Sequence, residues 1–147
     1  MMKKFVIMTL CVLSLLSLSG CKKQEEVIKE VSETIEITFI NESEEPVDVW
    51  ILQDIEANHK TTLWGKAMIA KLPVNSEEKV KIEKQEEDTY LFRAIDEDEL
   101  YFEANAIIIK DGYTLKLILD RDKFEASLEV SDGSGNSQVY EVFCASL

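Results

Sequence analysis

The stretch "YTLKLILDRDKFEASLEV", residues 113 to 130, alternates apolar and polar side chains twice over. Tyr113, Leu115, Leu117 and Leu119 share one face, then Phe124, Ala126, Leu128 and Val130 share another, with the polar "DRDK" of residues 120 to 123 between them. A period of two is the mark of a half-buried strand, because successive side chains of extended backbone point to opposite faces. The same rhythm runs outward in both directions. Upstream it recurs in "TIEITFI" from Thr34, "VDVWILQ" from Val47, "EKVKIEK" from Glu78 and "TYLFRAI" from Thr89. Leu100 to Ile109 is long enough to need a bulge or bend near Asn105, and Asp111-Gly112 is a hairpin signal, since glycine tolerates the positive φ of tight turns. Downstream, the Gly/Ser-rich "SDGSGN" of residues 131 to 136 leads to a last strand, "SQVYEVF". The expectation is an all-β fold, a single antiparallel β-sandwich of about 8 strands over residues 34–147. Residues 64 to 72, "WGKAMIAKL", fit a helix or a strand equally.

The N-terminus has a different character. Lys3 and Lys4 precede an apolar run from Phe5 to Leu18, which is shorter than the ~20 residues needed to span a hydrocarbon core. Leu18-Ser19-Gly20-Cys21 then resembles the lipobox of bacterial lipoproteins. That resemblance implies a signal peptide over residues 1–20, a diacylglyceryl thioether on Cys21, a lipidated tether over residues 21–33, and attachment to a membrane of the bacterial cell envelope, outside the cytoplasm. An uncleaved anchor or an ordinary secretory signal is the alternative. Two or more acyl chains anchor stably where one binds only marginally.

The chain of 147 residues carries 16 basic and 29 acidic side chains, a formal charge of −13. Loss of Lys3 and Lys4 with the signal leaves 14 basic against the same 29 acidic residues, a formal −15. Such a surface repels nucleic-acid phosphates and anionic lipid headgroups alike, so nucleic acid is not expected as a partner, and cations, basic proteins or neutral ligands are. Cys11 departs with the signal and Cys21 is lipidated, which leaves Cys144 without an intramolecular disulfide partner. Its alternation with Tyr140 and Val142 makes it a small core thiol, with an intermolecular bridge as the alternative.

Catalytic groups are scarce. His59, the sole histidine, sits in the polar "EANHKTT" without a sequence neighbour to partner it, and there is neither a His/Cys metal cluster nor a nucleophile elbow. Trp50 is expected to point outward from its strand, and Trp64 follows a loop; both are candidate ligand contacts, or caps on the core. Strand alternation sends "EED", residues 86 to 88, and "DEDE", residues 96 to 99, to opposite ends of one strand. It brings "NESEEP", residues 41 to 46, and "DRDK" to the "DEDE" end. That pole gathers Glu42, Glu44, Glu45, Asp96, Asp98, Glu99, Asp120 and Asp122. Asp96, Asp98, Glu99, Asp120 and Asp122 are the candidate Ca²⁺ ligands, since hard carboxylate oxygens suit that ion, and solvated turns are the alternative.

The pattern from Thr34 to Leu119 also resembles small exported bacterial β-sandwich domains of the immunoglobulin-like or transthyretin-like kind. An opening strand ending at Asn41, a Trp64-Gly65 pair after a loop and the "YLFRAIDEDE" strand carry the likeness, although Glu99 stands where such turns usually hold glycine. The resemblance implies a fold and no activity. The functional expectation is therefore a membrane-anchored, non-catalytic binding or accessory module offering an acidic surface to a cationic partner. A Ca²⁺-dependent binding module is the alternative, and a cell-envelope enzyme the third reading.

Overall fold

Each strand is recognised by what it buries. In β1 (Thr34–Glu42) Ile35, Ile37, Phe39 and Asn41 face inward while the residues between them face out. β7 (Thr114–Asp120) buries Leu115, Leu117 and Leu119, and β8 (Glu125–Ser131) buries Ala126, Leu128 and Val130. The computed structural model describes residues 32 to 147 apart from Leu63. Leu18, Ser19, Gly20, Cys21 and nearly all of the expected tether lie outside the described residues.

The remaining strands are β2 (Val47–Gln53), β3 (Ile69–Leu72), β4 (Ser76–Glu83), β5 (Thr89–Asp96), β6 (Leu100–Ile108) and β9 (Ser137–Ser146), with one helical turn, α1 (Glu56–Lys60). The domain is all-β. Its strands hydrogen-bond in the order β3-β2-β5-β6-β9-β8-β7-β1-β4. Neighbours are antiparallel except β1 and β7, which run parallel. β9 serves two neighbours in turn: Ser137 to Val142 pair with β8, and Phe143 to Ser146 with β6. The outermost strands, β3 and β4, follow one another in the chain across Pro73-Val74-Asn75, so the order nearly closes on itself. Asn41 pins that closure. Its buried amide donates to the carbonyls of Leu72 and Glu45, both at 2.9 Å, and accepts from the Ser43 N–H and hydroxyl, while the Asn75 N–H reaches the Asn41 carbonyl at 2.7 Å. A buried amide is tolerated only when its polar atoms are satisfied in this way. Phe39 and Phe92 stack at 5.8 Å within the core, among Tyr90, Phe102, Leu115 and Leu117.

Several expectations change here. Residues 64 to 72 yield only the short strand β3, since Gly65 at φ 70° and Lys71 at φ 50° interrupt any helix, and the Met68 N–H donates instead to Val49 of β2. Asp111-Gly112 makes its turn, with Gly112 at φ 80°, but β6 and β7 are not paired and there is no hairpin. The turn docks on β1, where the Gly112 N–H donates to Glu36 O at 2.8 Å and Asp111 Oδ1 accepts from the Glu36 N–H at 2.8 Å, so the chain crosses over to β1. Phe124 leaves the core face on which its spacing put it. Its φ of 56° turns it out of the strand, and it is 58% exposed. The irregularity expected near Asn105 is a bulge, with Asn105 and Ala106 facing Leu91 alone, Ala106 at φ 52° and its N–H given to Asp54 Oδ2. Glu99 adopts φ 60°, the conformation for which glycine is usual. No helix among the described residues is long and apolar enough to cross a membrane.

Candidate functional site

The three acidic turns meet at one pole. β1 ends beside β7, with Glu42 opposite Ile118, and Val47 pairs with Asp96, so "NESEEP", "DEDE" and "DRDK" emerge at the same end. Arg121 joins all three, its Nε 2.8 Å from Glu44 and its Nη2 3.4 Å from Asp98. Those carboxylates raise its pKa further above the ordinary guanidinium value. Lys123 lies 3.0 Å from Asp120 and holds that carboxyl below the usual range, and Lys116 reaches Glu42 at 3.5 Å. Glu45, Glu97, Glu99 and Asp122 pair with no cation among the described residues, so the pole keeps a negative excess.

The expected Ca²⁺ ligands do not gather. Asp96 faces inward, 5% exposed, and its Oδ1 accepts from the N–H groups of Asp98 and Leu100 at 3.0 and 2.8 Å. Its Oδ2 is buried without a hydrogen-bond partner. Asp98 and Asp120 are taken by Arg121 and Lys123, while Glu99 and Asp122 stand exposed on their turns. Among the described residues no three His, Cys, Asp or Glu side chains are grouped to hold a metal ion. "EED" lies at the other end of the domain, where the chain enters: Glu33 O accepts from Lys84 N–H at 2.8 Å and Thr34 pairs with Glu83.

A second cluster occupies the outer face of β2, β5 and β6. Trp50, Arg93 and Glu103 are successive partners across the three strands and therefore share that face. Arg93 is 3% exposed. Its Nε donates to Glu103 Oε2 at 2.8 Å, and its other nitrogens donate to the carbonyls of Thr61 and His59 at 3.2 and 3.5 Å. The Trp64 ring covers it, 4.7 Å from Cζ to the ring centroid, a cation–π arrangement. Trp50 and Trp64 meet edge to face at 5.2 Å, and Trp64 meets Tyr101 at 5.4 Å. Both indole N–H groups face the loop, toward Gly65 O and Thr61 O. The tryptophans thus clamp the segment after β2 onto the sheet, with their rings tilted to one another and both indole donors given to loop carbonyls. The Tyr101 hydroxyl donates to Glu103, and burial first, then that carboxylate, pushes its pKa up to about 12.

Sequence reasoning passed over Arg93, although one cation inside "TYLFRAI" was a signal. A strand covered on both faces reads as a nearly continuous apolar run, and a cation within it must be paired. His59 also corrects an expectation: its Nε2 is 2.5 Å from Asp54 Oδ1, five residues upstream. Cys144 is half-buried against the core, and burial, then the Asp96 charge, raise its thiol pKa, which keeps it protonated and a poor nucleophile. Compared with known protein families, with curated proteins and with solved structures, the chain matches none.

Proposed function

We propose that this chain is a lipid-anchored lipoprotein of the bacterial cell envelope, held outside the cytoplasm by acyl chains on Cys21, whose β domain is a non-catalytic binding or accessory module for a cationic protein. The lipobox residues Leu18 to Cys21 support the anchor. The observation that carries the binding reading is the meeting of three acidic turns, four of whose carboxylates lack a cation, at the pole opposite the point where the chain enters the domain. Within the domain that pole lies at the far end from the start of β1, where Thr34 pairs with Glu83. Fields of this kind steer basic partners and fade with ionic strength.

The test is capture of partners from an envelope extract by the purified full-length protein, compared with Glu97→Lys/Glu99→Lys/Asp122→Lys at the acidic pole and with Glu86→Lys/Glu87→Lys at the opposite one. Loss of a basic, salt-sensitive partner from the first variant alone supports the reading. Equal losses at both poles would show that net charge is responsible. Labelling with radioactive palmitate checks the anchor, and label retained on Cys21→Ser refutes it.

A further inference from the structure

Seven large apolar side chains stay exposed among the described residues, and three of them share one groove. Phe124, Val139 and Phe143, 58%, 64% and 64% exposed, line a groove of about 680 Å³ together with Ile118, on the outer face of β7, β8 and β9. It lies where β9 changes neighbours from β8 to β6. Phe124 stands there with φ 56°, a backbone conformation that bulky residues rarely adopt and glycine takes freely. The fold therefore holds a phenyl ring in water at a backbone position that does not favour it. Asp120, Glu125 and Glu141 also line the groove. Asp120 is paired with Lys123, and Glu125 and Glu141 are in no ion pair among the described residues.

Charge decides what fits. A second copy of a chain at −13, or an anionic lipid surface, would press like charges onto this rim, whereas basic groups around an apolar side chain complement both its centre and its edge. We propose that the β7–β8–β9 groove is the docking site for a partner segment in which lysine or arginine residues flank an apolar anchor. This rests on the cationic-partner reading and adds to it a place and a requirement for apolar contact.

The test measures fluorescence anisotropy of a synthetic peptide of alternating lysine and leucine with the full-length protein, beside an oligolysine of equal charge and an alternating glutamate–leucine peptide. Lysine–leucine should bind best. Phe124→Gly should weaken it about tenfold or more, as loss of a central anchor does, without lowering Tm, because glycine relieves the left-handed backbone. Val139→Ser should act in the same direction, and Glu125→Gln/Glu141→Gln should flatten the salt dependence. Wild-type affinity in both Phe124→Gly and Val139→Ser, or equal binding of oligolysine lost only on reversal of the acidic pole, overturns the groove and leaves the cationic-partner reading standing. Failure of both lysine peptides to bind at low salt overturns the two together. Preference for glutamate–leucine, or self-association abolished by Phe124→Gly, assigns the groove to another occupant and overturns the proposal.

Discussion

On the outer face of β5, Arg93 ties Glu103 of β6 to the carbonyls of His59 and Thr61, while at the acidic pole Arg121 ties Glu44 of one turn to Asp98 of another. Each guanidinium bridges segments far apart in sequence, with one contact at 2.8 Å. Their surroundings differ. Arg93 is 3% exposed beneath Trp64, whereas Arg121 is 42% exposed and its partners 46% and 62%. Water already solvates the pole's charges, so the pairing there adds little, and salt screens it. Under the tryptophan the Arg93 guanidinium is out of reach of water, so its partners there are protein groups. One chemistry thus serves stability in one region and leaves the other free to present charge.

The largest effect expected is at Arg93. Arg93→Ala removes a donor to two loop carbonyls and to Glu103, which keeps only the Tyr101 hydroxyl, and takes away the cation packed under Trp64; it should cost about 3 kcal/mol in urea denaturation, because one partner of the pair is almost wholly buried. Arg93→Lys should restore only part of this, since a point charge cannot fork toward a carboxylate and two carbonyls. A cost under about 1 kcal/mol would mean that burial does not separate the two arginines.

Asp96 sharpens the comparison by placing a buried group beside the exposed pole. Asp96→Ala removes the acceptor for the N–H groups of Asp98 and Leu100 and should destabilise by about 1–3 kcal/mol. Asp96→Asn keeps that acceptor but sets an amide NH₂ where Oδ2 is buried without a partner, so it should recover only part of the loss and rank between Asp96→Ala and the wild type. Full wild-type stability in Asp96→Asn would show that removing the buried carboxylate offsets the unpaired amide.

How far these networks were legible depends on the range over which their parts act. β7 and β8 were legible because alternation is local, and Asn105 because a run from Leu100 to Ile109 exceeds what one straight strand accommodates. Phe124 was misplaced since the same alternation, carried back one residue into the turn, cannot register a change in φ. Asp111-Gly112 announced its turn by local chemistry, yet the strand beside β7 is β1, a choice made by the whole sheet order. The turns of the acidic pole were placed by strand counting alone. Their link through Arg121, like that of Arg93 to residues 59, 61 and 103, needs tertiary proximity that no spacing encodes.

Tyr101 tests the aromatic face by pH. Its folded pKa of about 12 lies above the ordinary value of 10, so the folded state holds that proton more tightly than the unfolded chain. The resulting stability is complete below pH 10 and is lost as pH rises from about 10 to about 12. Tyr101→Phe removes the hydroxyl that donates to Glu103, so it should lower Tm at neutrality and flatten the alkaline limb of a Tm–pH curve. An unchanged limb would assign the alkaline loss to other groups.

The smallest effect should come from Arg121. Arg121→Ala leaves Glu44 and Asp98 facing water, where both already stand about half exposed, so nothing buried is stranded. Repulsion among the turns rises instead, and that is a long-range term which salt suppresses within about 8 Å at physiological ionic strength. Tm should therefore fall slightly at low salt and coincide with the wild type at physiological salt, and Glu44→Gln in the same background should recover part of the low-salt loss by removing one of the repelling charges. The variant also deepens the negative field at the pole, so a basic peptide should associate faster with it than with the wild type, most visibly at low salt. A loss of stability matching that of Arg93→Ala, persisting in salt, would break the comparison: the pole would then be held together by its ion pairs, and its charge could not be varied independently of the fold.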